Sequence, residues 1–198
     1  MVTMNIDDRR VRRSRKLLGD ALLSLLEAHD FDTIKIRDVT EKADVGYMTF
    51  YRHYDSLEEL LTDRIRSILE EQIAEVIACD QQGELIFSYV ADNAKLYRTL
   101  LFSPSTARAR QKLADMFAEF FAITAKDDPL IPADLRARHM ATGLLSLAGW
   151  WLEKNMLPPV PQVAEMYNAL IINDNIDPEK LRQLTVATCI AELSHVTI

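Results

Sequence analysis

The sequence predicts an all-α protein, with a small N-terminal helix-turn-helix domain joined by a long helix to a C-terminal helical bundle. Three observations carry this expectation. Apolar residues recur at the three- and four-residue spacing of amphipathic helices along nearly the whole chain. No run alternates apolar and polar residues between turn signals as a half-buried strand would. Five glycines and seven prolines in 198 residues are too few for a turn-rich β-sandwich, while 48% hydrophobic content suffices for a core.

The elements follow in order. Leu17, Leu18, Ala21, Leu22, Leu25 and Leu26 form one apolar face, so a first helix runs to about His29, where Asp30-Phe31-Asp32-Thr33 breaks the pattern. Ile36, Val39 and Ala43 mark a short second helix, and Asp44-Val45-Gly46 interrupts it. Tyr47 to His53 forms a third, with Phe50 and Tyr54 inward. Ser56-Leu57-Glu58-Glu59 is a capping box, in which the Ser56 hydroxyl accepts from the amide of residue 59 while Glu59 reaches back. It opens a long helix through Leu60, Leu61, Ile65, Ile68, Leu69, Ile73 and Ile77.

Longer helices are expected beyond it. One covers about Glu84–Phe102 and stops at Ser103-Pro104; the next carries Leu113, Met116, Phe117, Phe120 and Phe121 on one face. Another spans about Ala133–Asn155, followed by Pro158-Pro159-Val160-Pro161 as a stiff linker and a helix over about Gln162–Asn173. Asp177-Pro178-Glu179 reads as an N-cap, a first-turn proline and an acid on the positive helix end, opening a last helix to about His195. The expected domains are 1–56 and 57–198.

Charge is uneven. The formal net charge is −7, yet residues 1–56 hold ten basic and ten acidic groups, so the excess acid lies in the larger domain. Arg9, Arg10, Arg12, Arg13, Arg15 and Lys16 form a basic arm over 9–16 with no acid among them. Such a cluster suits phosphate, whose neutralisation releases condensed counterions; a solvated helix start has the same composition. The longest apolar run, around Leu144–Leu152, is too short to span a bilayer, and no secretory leader pattern is present, so a soluble cytoplasmic protein is expected. Cys79 and Cys189, far apart in the chain, form neither a disulfide framework nor a metal knuckle.

The helix-turn-helix spacing carries the functional expectation. The second helix of such a pair presents its N-terminal side chains to base edges in the major groove. With Phe50 and Tyr54 on the core side, Tyr47, Met48, Thr49, Tyr51, Arg52 and His53 remain for the outer face, all without acid. Residues 33–60, and most specifically Thr49-Phe50-Tyr51-Arg52-His53-Tyr54, resemble the DNA-binding domain of the TetR (tetracycline-repressor) family, a similarity that runs over about residues 9–62. It implies a homodimeric regulator, commonly a repressor, that reads a pseudo-palindromic double-stranded operator and binds a small-molecule effector in its C-terminal domain.

Carried over by position, Tyr47, Met48 and Thr49 match residues facing bases or the groove wall. Tyr51 and His53 match phosphate contacts, and Arg37 matches a bracing-helix position that reaches DNA. Tyr and His donate to phosphate oxygens, and Thr and Met meet a thymine methyl. Three positions depart from the pattern. Gly46 stands where Ser commonly caps the recognition helix, Asp44 where Gly is usual, and Leu57 where a Lys usually holds phosphate. Asp44 offers a substitute cap and Arg52 a substitute charge. Phe87–Phe102 and Thr142–Leu152 are similar to one subgroup of the regulatory domains, some of whose members act as coactivators through a protein partner. The alternative reading is therefore a coactivator or protein-interaction module with weak autonomous DNA binding.

For a dimer interface, Gly143, Ser146 and Gly149 recur at three-residue steps and would let a partner helix approach; close packing within the chain explains them equally. The uncharged stretch from Gln183 to Ala191 is a second candidate. An effector cavity is expected to draw on Tyr89, Asn93, Tyr97, Met116, Phe117, Phe120, His139, Thr142 and Trp150. No metal or cofactor is expected. His29, His53, His139 and His195 are scattered, and Glu192-Leu193-Ser194-His195 lacks the second copy that a di-iron bundle needs. With no Gly-rich phosphate loop or nucleophile elbow, catalysis is not expected.

Overall fold

A computed structural model describes residues 6–79, 81–173 and 175–183. Within these residues no strand forms beyond an isolated antiparallel bridge between Ala125 and Ile176. The helices are α1 (Ile6–Leu26), α2 (Ile36–Ala43), α3 (Tyr47–Tyr51), α4 (Leu57–Ala78), α5 (Gln82–Asp92), α6 (Ala94–Phe102), α7 (Ala107–Thr124), α8 (Ala133–Glu153), α9 (Val160–Tyr167) and α10 (Pro178–Gln183). No helix among them is long and apolar enough to cross a membrane.

Helix α1 packs against both α2 and α4, and α2 against α3, each burying apolar side chains in the joint. Leu18, Leu22 and Leu26 of α1, Val39 of α2, Phe50 of α3, and Leu60 and Leu61 of α4 are all buried in one cluster. Leu17 departs from the expected apolar face and is exposed, lying one residue outside the stripe. At Gly19 the side chain of Arg64 of α4 lies over α1: a Cβ there would stand 2.8 Å from Arg64 Cδ. Arg64 in turn reaches Asp20 of α1 at 3.2 Å.

The turn between α2 and α3 explains one departure from the family pattern. Asp44 has φ 52° and ψ 46°, the left-handed conformation that glycine adopts without strain and that Asp tolerates better than most residues. Asp44 therefore ends α2 and does not cap α3. Gly46 is the N-cap of α3 and supplies no side-chain bond; its carbonyl accepts from Thr49 N at 2.7 Å. At the next helix Ser56 Oγ accepts from Glu59 N at 3.1 Å, as the capping box requires, but Glu59 reaches back to Asp55 N instead of Ser56 N.

Beyond α4 the helices wrap one another, with α7 and α8 sharing the most extensive interface. The single helix expected over Glu84–Phe102 is two. It breaks at Asn93, whose Nδ2 donates to the Tyr89 carbonyl at 3.0 Å, a local bond that competes with continuing the helix. The helix expected from Gln162 begins at Val160, with Pro161 in its first turn, and passes into a wider π-turn at Asn168–Ile172. Gly83 lets α5 meet α9, since a Cβ there would lie 3.1 Å from the Tyr167 ring. Phe87, Trp151 and Tyr167 stack edge to face at this junction, with centroids 5.4 and 6.1 Å from Phe87. The stretch from Gln183 to Ala191 and the Glu192–His195 spacing lie, apart from Gln183, outside the described residues, as does Cys189.

Candidate functional site

Two surfaces and one cavity hold most of the residues singled out from the sequence. The first surface is the outer face of α3. Phe50 and Tyr54 point into the core, and this orients the rest outward: Met48 is 68% exposed, Tyr47 50% and Tyr51 44%, with Arg52 exposed and Thr49 and His53 half-buried. Tyr47 and Tyr51, one turn apart, stand with ring centroids 5.3 Å and hydroxyls 3.2 Å from each other. Their hydrogen bond holds the Tyr51 phenol above its ordinary pKa, so this hydroxyl stays protonated. Arg37 lines a surface cleft with Tyr47, and its guanidinium is bridged to Glu41 at 2.7 Å along the exposed face of α2.

The seat of α3 is a cluster that sequence spacing did not reveal. Tyr54 Oη donates to Asp63 Oδ2 of α4, and Arg15 of α1 donates through Nε to Asp63 Oδ2 and Tyr54 Oη at 3.2 Å each, while its Nη2 pairs with Asp63 Oδ1. Burial, then the bond to Asp63, drives the Tyr54 phenol far up; the bond to Asp63 does the same for the Arg15 guanidinium. One cation of the basic arm is thus spent on holding α1, α3 and α4 together, while Arg9, Arg10, Arg12, Arg13 and Lys16 remain exposed. His53 lies beside this cluster. Partial burial, Arg15 and Arg52 together hold its imidazole below the usual value. Leu57, at the start of α4, is half-buried and packs against the core.

The cavity, of about 90 Å³, lies between α4, α5, α6, α7, α8 and α9. Tyr89, Tyr97, Phe117 and Phe120 line it, together with Leu69, Gln72, Val76, Phe121 and Tyr167, which sequence reasoning missed. Asn93, Met116, His139, Thr142 and Trp150 do not line it. Asn93 is committed to the α5–α6 break, Met116 is buried in packing, and the Thr142 hydroxyl donates to the Arg138 carbonyl at 2.7 Å. His139 and Trp150 sit on the opposite face of α8.

That face is the second surface. A groove between α8 and α9 is lined by His139, Met140, Gly143, Ser146, Leu147, Trp150, Met166 and Leu170, with Trp150 40% and Leu170 65% exposed. Gly143 and Ser146 belong to it. Gly149 does not: it is buried beside Leu101 and Phe102, which a Cβ there would meet at ordinary contact distances of 3.8–3.9 Å, so packing within the chain does not require a glycine.

No protein-family model matches the chain. Over 71 residues it is 41% identical to the uncharacterised HTH-type transcriptional regulator YxbF of Bacillus subtilis (strain 168). That match takes in 35% of this chain and spans only 18% of the length of the relative. Among solved structures, a TetR transcriptional regulator from Streptococcus agalactiae 2603V superposes with a TM-score of 0.57 at 23% identity, over 84% of this chain and 97% of the other. TylP, a TetR regulator from Streptomyces fradiae, gives a TM-score of 0.59 at 16% identity over 95% and 93% of the two chains. The chain has the TetR-regulator fold. In that fold α2 and α3 stand as the helix-turn-helix pair, and the cavity lies within the TetR-type helical bundle behind them.

Proposed function

We propose that this chain is a transcriptional regulator of the TetR type, a repressor that binds a pseudo-palindromic operator as a homodimer under the control of a small molecule. In this reading residues 1–56 are the DNA-binding domain and 57–198 the effector-binding and dimerisation domain. The observation that carries it is the outer face of α3: Tyr47, Met48, Thr49, Tyr51, Arg52 and His53 point away from the core without an acid among them, while Phe50 and Tyr54 fix their direction. Tyr47, Met48 and Thr49 meet base edges, and Tyr51, His53 and Arg52 hold phosphate, with Arg37 reaching the backbone from α2. The exposed arm over 9–16 adds phosphate charge.

The groove of Gly143, Ser146, Trp150 and Leu170 is the self-association face, because exposed apolar side chains beside small residues suit a close symmetric helix contact. Two-fold symmetry then places the α3 helices in successive major grooves about 34–36 Å apart. The cavity is the effector site. Its wall includes Phe117, Phe120 and Phe121 of α7 and Leu69, Gln72 and Val76 of α4, so a ligand that fits one arrangement of these helices better than another shifts the separation of the reading heads.

Leu57 favours a second reading. It packs inward where a phosphate-holding Lys is usual, and Glu58 and Glu59 follow it. A chain with this helix start would bind DNA weakly alone and act as a coactivator through a protein partner. Replacing Tyr51 by Phe and His53 by Ala separates the two. Loss of DNA retention with the dimer intact supports direct reading, and retention unchanged from the parent chain overturns it.

A further inference from the structure

The cavity wall is almost all carbon and, among the described residues, carries no charged side chain. An ion placed there would shed its hydration with no opposite charge to replace it. The polar groups on the wall are three tyrosines and Gln72. Tyr89 is already committed, donating to Glu75 at the protein surface. Tyr97 and Tyr167 are not committed. Both side chains are buried, and neither hydroxyl has a hydrogen-bond partner among the described residues. Burial alone raises both phenols, Tyr97 to about 12, so each stays protonated and able to donate as well as accept. Neither oxygen is among the fully enclosed atoms left without a partner, so each keeps open surface, and two such hydroxyls on the wall of one apolar cavity mark where a ligand's polar atoms belong.

Resting on the reading of this cavity as the effector site, we propose that its ligand is a small uncharged molecule with an apolar body and a hydroxyl or carbonyl oxygen that pairs with Tyr97 and Tyr167. The space sets the size. An engineered cavity of about 150 Å³ takes benzene, so about 90 Å³ is smaller than one ring needs, and a single-ring body sets the upper limit, entering only as the walls open. A single hydroxyl oxygen accepts from one tyrosine and donates to the other, and a carbonyl oxygen accepts from both.

Toluene, p-cresol and p-toluate, which share one shape and differ in oxygen and charge, test this by calorimetric titration of the full chain. The expected result is p-cresol binding about tenfold tighter than toluene, with no binding of p-toluate. Tyr97→Phe and Tyr167→Phe are each expected to weaken p-cresol about five- to tenfold and leave toluene unchanged, which shows that the cavity itself is intact. The proposal is overturned if p-toluate binds best, if p-cresol gains nothing over toluene, if both variants bind p-cresol as the parent does, or if none of the three binds. DNA release is followed in parallel. Tyrosine-dependent p-cresol binding that leaves the DNA complex unchanged contradicts only the effector reading. Release by a probe indifferent to both tyrosines contradicts only the ligand assignment.

Discussion

Glu58 Oε1 accepts a hydrogen bond from the backbone N–H of Arg108 at 2.7 Å, and a second from Ala109 at 3.0 Å. The first turn of α4 thereby caps the N-terminus of α7 from fifty residues away. A carboxylate on those amides satisfies donors that a helix start leaves open and meets the positive end of its dipole. Since α7 lines the cavity and α4 follows directly on α3, this contact joins the proposed effector site to the reading head. Glu58→Ala is expected to lower stability by about 1 kcal/mol and to blunt ligand-driven DNA release more than DNA binding itself. Thermal unfolding and a release assay check the two parts; release unchanged from the parent would show that the contact carries no coupling.

Tyr54 and Asp63 make the second link, with Arg15 bonded to both. Asp63 is buried but Arg15 is 38% exposed, so Asp63→Ala removes bonds to both Tyr54 and Arg15 while leaving the cation within reach of water, and a loss of about 2 kcal/mol is expected. Tyr54→Phe removes one bond while leaving the ring packed and should cost about 1 kcal/mol. Chemical denaturation measures both. A Tyr54→Phe loss as large as that of Asp63→Ala would contradict this ranking.

Leu57→Lys restores a cation at the start of α4. Each phosphate neutralised steepens the salt dependence by about 0.9 in log–log slope, so the variant is expected to bind DNA more tightly at low salt with a slope larger by about one unit. Affinities at four salt concentrations give the slope. An unchanged slope would mean that this helix start does not approach phosphate.

His53 supplies a pH dependence. Burial and the neighbouring Arg15 and Arg52 hold its folded pKa below the ordinary value, so the folded chain takes up its proton less readily than the unfolded chain. Stability therefore falls as the pH drops below about 6.5 and the full penalty is reached below the folded pKa. His53→Asn is expected to reduce the difference in Tm between pH 8 and pH 5. Phosphate beside His53 acts oppositely, and DNA affinity should rise as the pH falls from 8 to 6.

The two faces of α3 were legible because Phe50 and Tyr54 repeat at four residues and leave the polar side chains on the other side. The Asn93 break was hidden, since the apolar pattern continues through it while Asn93 leaves the helical backbone, at φ −119° and ψ 33°, with its Nδ2 on the Tyr89 carbonyl. Helix α8 was the hardest to read. From Gly143 to Leu152 it carries Ser146 as its one polar side chain, which leaves few local marks for the adjacent Trp150 and Trp151; Trp151 is buried against Phe87, and Trp150 stands in the outer groove. Contacts between distant segments, such as Glu58 with Arg108 or Arg15 with Asp63, have no local sequence pattern. They exist only once the helices are packed.

Selection of bound duplexes from a random DNA pool by the purified chain, at about 0.15 M salt to suppress non-specific binding, tests the central claim most directly. Enrichment of a two-fold symmetric site, with half-sites about one helical turn apart, is the predicted result. A pool that stays random, from protein shown to be folded and dimeric, would contradict direct reading by α3 and turn the account toward a protein partner.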